Sequence, residues 1–145
     1  MQQTKIDNKK LLLALNNFRQ EDHGIKLDID VNVQDTMGRT YSFSYASFNE
    51  ITEKINPLLK KHGLMLVQTV GAGCSVITTL IHLESGEAFT STASFPMTEN
   101  LGFQAYGQAI TYLKRYSVVA MLGLKAEQDN DANSEGNKVD MKVNG

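Results

Sequence analysis

Apolar and polar residues alternate along the chain in two periods, and the period changes several times. Within residues 4–22, Leu11, Leu12, Leu15 and Phe18 fall at helical spacing, which predicts a short amphipathic helix with Gly24 as its stop. Leu27, Ile29, Val31 and Val33 then alternate with Asp28, Asp30 and Asn32, the period-two pattern of a half-buried strand. Asp35-Thr36-Met37-Gly38 has the composition of a turn, and alternation resumes at Tyr41, Phe43 and Tyr45. The two segments together predict a hairpin.

Helical spacing returns over residues 46–62, where Phe48, Ile51, Ile55, Leu58, Leu59 and His62 recur at three- and four-residue steps and Gly63 follows as a C-cap. Pro57 is expected to kink this helix or split it in two, because it lacks an N–H for the helical ladder. Three strands are predicted next, at about 64–70, 74–83 and 88–96, separated by Gly71-Ala72-Gly73 and Glu84-Ser85-Gly86-Glu87. The last helix, 102–122, is largely apolar and should be mostly buried, with Gly123 closing it. The fold class is therefore α+β, an antiparallel hairpin and meander covered by helices on one face.

The 145 residues suit one domain with one core. Its predicted extent is residues 1–124, and 125–145 are expected to be an acidic disordered tail, too poor in large apolar side chains to build a core. The net charge of -2 gives no sign of a generally basic nucleic-acid binder. Residues 1–124 carry 11 basic and 11 acidic side chains, while 125–145 carry 3 lysines against 5 acids. A neutral body can hold a local basic groove beside an acidic tail, so the average leaves DNA binding open. Cys74 is the only cysteine, which fits a reducing cytoplasm. No secretory signal opens the chain and no apolar run approaches the roughly 20 residues of a membrane span, so the expected location is cytoplasmic, without membrane contact.

Polar side chains on the last helix are not scattered. Gln104, Gln108, Thr111 and Arg115 stand at steps of four, three and four, with Lys114 beside them. Amide and hydroxyl donors with two cations suit a phosphate backbone. A plain solvated face would have the same pattern, and spacing alone does not separate the two.

The quoted helix also carries a resemblance. Tyr41-Ser42-Phe43-Ser44-Tyr45-Ala46, then Asn56-Pro57-Leu58-Leu59-Lys60-Lys61-His62-Gly63-Leu64, then Gly107-Gln108-Ala109-Ile110-Thr111-Tyr112-Leu113-Lys114-Arg115-Tyr116, then the acidic run from Glu127 to Asp131 occur in that order. In this the chain resembles the Erf (essential recombination function) family of phage single-strand annealing proteins. Two features depart from the family pattern: an extra strand over 24–38 and a short tail without a further C-terminal module. A more distant likeness links Thr111, Lys114 and Arg115 to the Thr-x-x-Lys-Arg helix of eukaryotic annealing proteins, where helix and meander line a groove for one DNA strand.

The resemblance implies ATP-independent binding of single-stranded DNA and annealing of complementary strands in phage homologous recombination, in the cytoplasm of a bacterial host. It implies a homo-oligomer, ring or filament, no enzyme activity and no cofactor, with a single-strand-binding protein or a phage nuclease as further partners. The alternative is a non-catalytic structural or host-interaction module on the same fold. The candidate nucleic-acid-binding residues are Arg39, Tyr45, Lys60, Gln104, Gln108, Thr111, Tyr112, Lys114 and Arg115. Phe43 is expected mainly in the core, and Tyr112 and Tyr116 are expected to be mostly packing.

Other chemistries find no pattern. Gly71-Ala72-Gly73-Cys74-Ser75 lacks the Gly-Lys-Ser/Thr ending of a phosphate loop. His23, His62 and His82 are isolated, without metal-ligand spacing. The tail run from Asp129 imitates a calcium loop but has Ser134 where the sixth position demands glycine.

Overall fold

The computed structural model describes residues 7–96 and 102–128. The first residues of the predicted N-terminal helix, the acidic run from Asp129 and the rest of the tail lie outside the described residues. Eight elements follow in the order α1 (Lys9–Arg19), β1 (Ile29–Gln34), β2 (Thr40–Tyr45), α2 (Phe48–Lys61), β3 (Leu64–Gly71), β4 (Cys74–His82), β5 (Ala88–Phe95) and α3 (Phe103–Leu122). The strands form two antiparallel sheets, the hairpin β1–β2 and the meander β3–β4–β5.

The core lies between the meander and the helices. Leu11, Ala14 and Phe18 of α1, Ile51, Ile55 and Leu59 of α2, and Val118 and Leu122 of α3 meet Leu64 and Leu80 of the sheet. Leu12, expected on the buried face of α1, is exposed, and Ala14 takes its place. A smaller cluster under the first half of α3 joins Ile110 and Leu113 to Cys74 and Val76. Cys74 is thus a small buried packing residue.

Pro57 does not divide α2, which runs unbroken from Phe48 to Lys61. Pro57 and Glu53, whose carbonyl would accept the missing bond, both lie on the exposed side, where water can satisfy that carbonyl. The N-terminus of α2 is capped by Ser47, whose side chain accepts from the Glu50 N–H. Asp28 in turn accepts from both the N–H and the hydroxyl of Ser47, each at 2.7 Å, which holds the Asp28 carboxyl below the usual range and ties the segment before β1 to α2.

Gly63 and Gly123 sit in the left-handed region, at φ 69° and 65°, as their C-cap positions require. After Gly123 the chain turns back toward the hairpin. Leu124 and Ala126 are buried, the Ala126 carbonyl accepts from the Ala46 N–H at 2.8 Å, and Glu127 bridges antiparallel to Tyr45. Residues 124–128 are therefore a strap along the edge of β2, and the packed body extends through Gln128, four residues beyond the boundary read from composition.

Candidate functional site

The hairpin places Ile29, Val31 and Val33 opposite Tyr45, Phe43 and Tyr41, so all six share one face. The opposite face is polar, with Ser42 and Ser44 donating to Asn32 and Asp30. The apolar face is not sealed into the core: Tyr41 is exposed, and Phe43 and Tyr45 are half-buried. Between its Tyr45 end and α3 lies a groove of about 620 Å³. Phe43, Tyr45 and Phe48 form one wall, Gln108, Thr111, Tyr112, Arg115 and Tyr116 the other, and Glu127 and Gln128 of the strap close an end.

Two sets of aromatic rings meet at this groove, with Arg115 between them. Phe95 of β5 lies 5.5 Å from Tyr112, centroid to centroid, and Tyr112 lies 4.2 Å from Tyr116. The Arg115 guanidinium is 5.1 Å from the Tyr116 centroid and 4.4 Å from that of Tyr45. From Tyr45 the hairpin set continues through Phe43 to Tyr41, at 6.3 and 6.4 Å. Tyr112 and Tyr116 are exposed, at 48% and 39%, not packed away as their apolar helix suggested.

Arg115 is the hinge of the site. Only 10% of its side chain is exposed. Its Nε donates to the Ala46 carbonyl at 2.9 Å and a terminal nitrogen donates to Glu127 Oε1 at 2.8 Å. Among the described residues, Arg115 and Glu127 are the only charged ones lining the groove, so this lining is aromatic and electrically balanced, not basic. The Tyr116 phenol is pushed up to about 12 by the neighbouring Tyr112 hydroxyl, by burial and by the Glu127 charge, with Arg115 opposing.

Five of the nine candidate residues are brought together here: Tyr45, Gln108, Thr111, Tyr112 and Arg115. Gln104 is exposed one turn earlier on α3. Thr111 directs its hydroxyl back to the Gly107 carbonyl at 3.1 Å. Lys114 is half-buried, with Nζ 4.6 Å above the ring of Phe48, a groove residue. The stripe is thus not uniform. Gln104, Gln108 and Thr111 are open, whereas Arg115 is covered by Tyr45 and the strap.

Arg39 and Lys60 lie elsewhere. Arg39 is at the hairpin tip, about 20 Å along the strand from Tyr45, and pairs with Asp35 at 2.7 Å. Lys60 is exposed at the far end of α2, about 18 Å along the helix from Phe48. Its neighbour Lys61 pairs with Glu21 at 2.6 Å; the Lys61 and His62 side chains together lower the Glu21 carboxyl. Phe48, Glu127 and Gln128 line the groove without having been named as candidate site residues, and Phe95 adjoins it through Tyr112. Glu127 and Gln128 entered the sequence reading only as the start of the acidic run. Among the described residues, no three of His, Cys, Asp and Glu gather where they could hold a metal ion.

The sequence model of the ERF superfamily matches residues 27–144, which spans the hairpin, the meander and α3. The chain belongs to the ERF superfamily. No curated protein and no solved structure compared with it matches. No helix among the described residues is long and apolar enough to cross a membrane.

Proposed function

We propose that the groove between the β1–β2 hairpin and α3 holds single-stranded DNA, and that the protein anneals complementary strands in phage recombination without ATP and without covalent chemistry. The two sets of rings, Phe95–Tyr112–Tyr116 and Tyr45–Phe43–Tyr41, joined by the Arg115 guanidinium, are the observation that carries this reading. Bases stack on aromatic faces whatever their sequence, at roughly 1–3 kcal/mol each, which suits a protein that must accept any strand. A duplex keeps its bases stacked on each other, so a stacking groove favours the single strand. With a single cation in the described lining, most backbone contacts fall to the rim, where Gln104, Gln108 and Lys114 supply donors.

Annealing then needs no base-reading side chains, because the second strand tests complementarity by pairing. A groove of this size spans few nucleotides, so the active form is a homo-oligomer, ring or filament, that extends it. A single-strand-binding protein or a phage nuclease is the kind of partner such a protein meets in the host cytoplasm.

The test uses two complementary oligonucleotides, one labelled with a fluorophore and one with a quencher, with and without ATP. Pairing accelerated equally in both conditions supports the proposal. No acceleration, together with no binding of either strand, favours a structural or host-interaction module instead.

A further inference from the structure

A guanidinium nine-tenths buried needs an anion, and Arg115 has one that is easily reached: the Glu127 side chain is 47% exposed and stands at the end of the groove. We infer that the Glu127 carboxylate is a resident substitute for a nucleic-acid phosphate, and that the position it holds against Arg115 is the phosphate subsite of the groove. This rests on the reading of the groove as the site for a DNA strand and adds where one phosphate goes.

Three observations converge on it. The three other contacts of Arg115, to the Ala46 carbonyl and to the flanking rings of Tyr45 and Tyr116, hold the guanidinium without help from Glu127. Glu127 comes from the strap, which is bound to β2 by its own backbone bonds, so its side chain can swing away while the strap stays. The exchange also conserves charge at a site where loss of charge is costly. Removing one partner of a buried pair leaves an unpaired ion, whereas a phosphate oxygen arriving as the carboxylate leaves keeps Arg115 neutralised and hydrogen-bonded. An anion on the protein also weakens occupancy of the subsite by each strand, which helps an annealer that must release its product.

Glu127→Gln tests this, since the amide can still accept from Arg115 but carries no charge. In chloride buffer the variant should melt below the wild type. Millimolar inorganic phosphate, compared with chloride at equal ionic strength, should raise the melting temperature of Glu127→Gln and leave the wild type unmoved. Adding Arg115→Lys should abolish that response. The folded variant should bind single-stranded DNA about three- to tenfold more tightly at fixed salt, tenfold corresponding to 1.4 kcal/mol. A phosphate response no larger than that of the wild type, or DNA affinity unchanged or reduced in folded Glu127→Gln, overturns the inference. If Glu127→Gln does not fold, Glu127→Asp withdraws the carboxylate by one methylene and should show the phosphate response at smaller amplitude; its absence there overturns the inference equally. A wild type that binds no DNA, alongside a phosphate response in Glu127→Gln, leaves the anion subsite standing and removes the DNA reading.

Discussion

The guanidinium of Arg115 lies over the ring of Tyr45, with its central carbon 4.4 Å from the ring centroid. Through this contact α3 fixes the end of a hairpin whose strands otherwise pack chiefly on each other. The same side chain bonds the Ala46 carbonyl just past β2 and Glu127 on the strap. Three segments distant in sequence therefore depend on one residue.

Arg115→Ala should accordingly act first on stability. It removes a charged bond to a buried carbonyl, an ion pair and two ring contacts, for a loss of about 3 kcal/mol. Lys114→Ala removes a half-exposed cation over Phe48 and should cost about 0.5–1 kcal/mol. Its effect belongs to binding: losing one phosphate contact makes the log–log salt slope on single strands shallower by roughly 0.7. Denaturant melts and salt titrations on the two single variants separate the roles. A full salt slope in Lys114→Ala removes that lysine from the interface.

Tyr112 gives the most direct readout of stacking. The chain has 5 tyrosines and no tryptophan, so its intrinsic emission is tyrosine emission alone. Bases stacking on Tyr112 and Tyr116 should quench it as oligonucleotide is added. Tyr112→Leu keeps an apolar side chain but loses the aromatic face, and should weaken single-strand binding by about 1–3 kcal/mol with little change in melting. Equal affinity in the variant would remove Tyr112 from the site.

Much of this fold is legible in the sequence, because local rules and tertiary packing agree. The alternation at Tyr41, Phe43 and Tyr45, the helical spacing of α2 and the glycines after α2 and α3 all name what the structure contains. The site is legible only in part. Gln104 and Arg115 share a helix face, but periodicity says nothing about which of them Tyr45 and the strap cover. Glu127 stands twelve residues beyond Arg115, past the helix end, so no helical spacing links them. They meet because the chain reverses at Gly123 and pairs with β2, a tertiary event. The strap was hidden for the same reason: its composition is that of a tail, and only Leu124 and Ala126 are buried.

The strap makes truncation position-dependent. Ending the chain after Gln128 keeps Leu124, Ala126 and the Glu127 pair, and should leave the thermal transition unchanged. Ending it after Gly123 exposes the core beneath Leu124 and Ala126, strips Arg115 of its carboxylate, and should cost about 3–5 kcal/mol. Equal melting of the two truncations would show that residues 124–128 do not support the body.

A side chain at Gly123 should cost some stability. Its φ of 65° costs an L-residue about 1–2 kcal/mol, and a β-carbon there would stand 2.8 Å from the Arg19 guanidinium. Arg19 is long and flexible and can yield, so Gly123→Ala should lose little beyond the backbone term. Asn, which accepts the left-handed region more readily, should lose less than Ala. Denaturant melts of both variants check the order.

Tyr116 sets an alkaline limit. The folded phenol keeps its proton up to about 12, against an ordinary 10.0, first because of the Tyr112 hydroxyl, then burial, then the nearby Glu127. The unfolded chain gives up that proton sooner, so rising pH favours unfolding once pH passes 10. The contribution of Tyr116 is thus fully present below pH 10 and is lost as pH climbs toward 12. Tyr116→Phe has no proton to lose at this position and should show a flatter decline over that window. Comparing denaturant midpoints of the two proteins at pH 9 and through the window isolates the effect, since every other tyrosine and lysine is common to both. Parallel declines would mean that Tyr116 titrates alike in the folded and unfolded chains, and that the neighbouring Tyr112 hydroxyl and burial do not hold the phenol proton in solution.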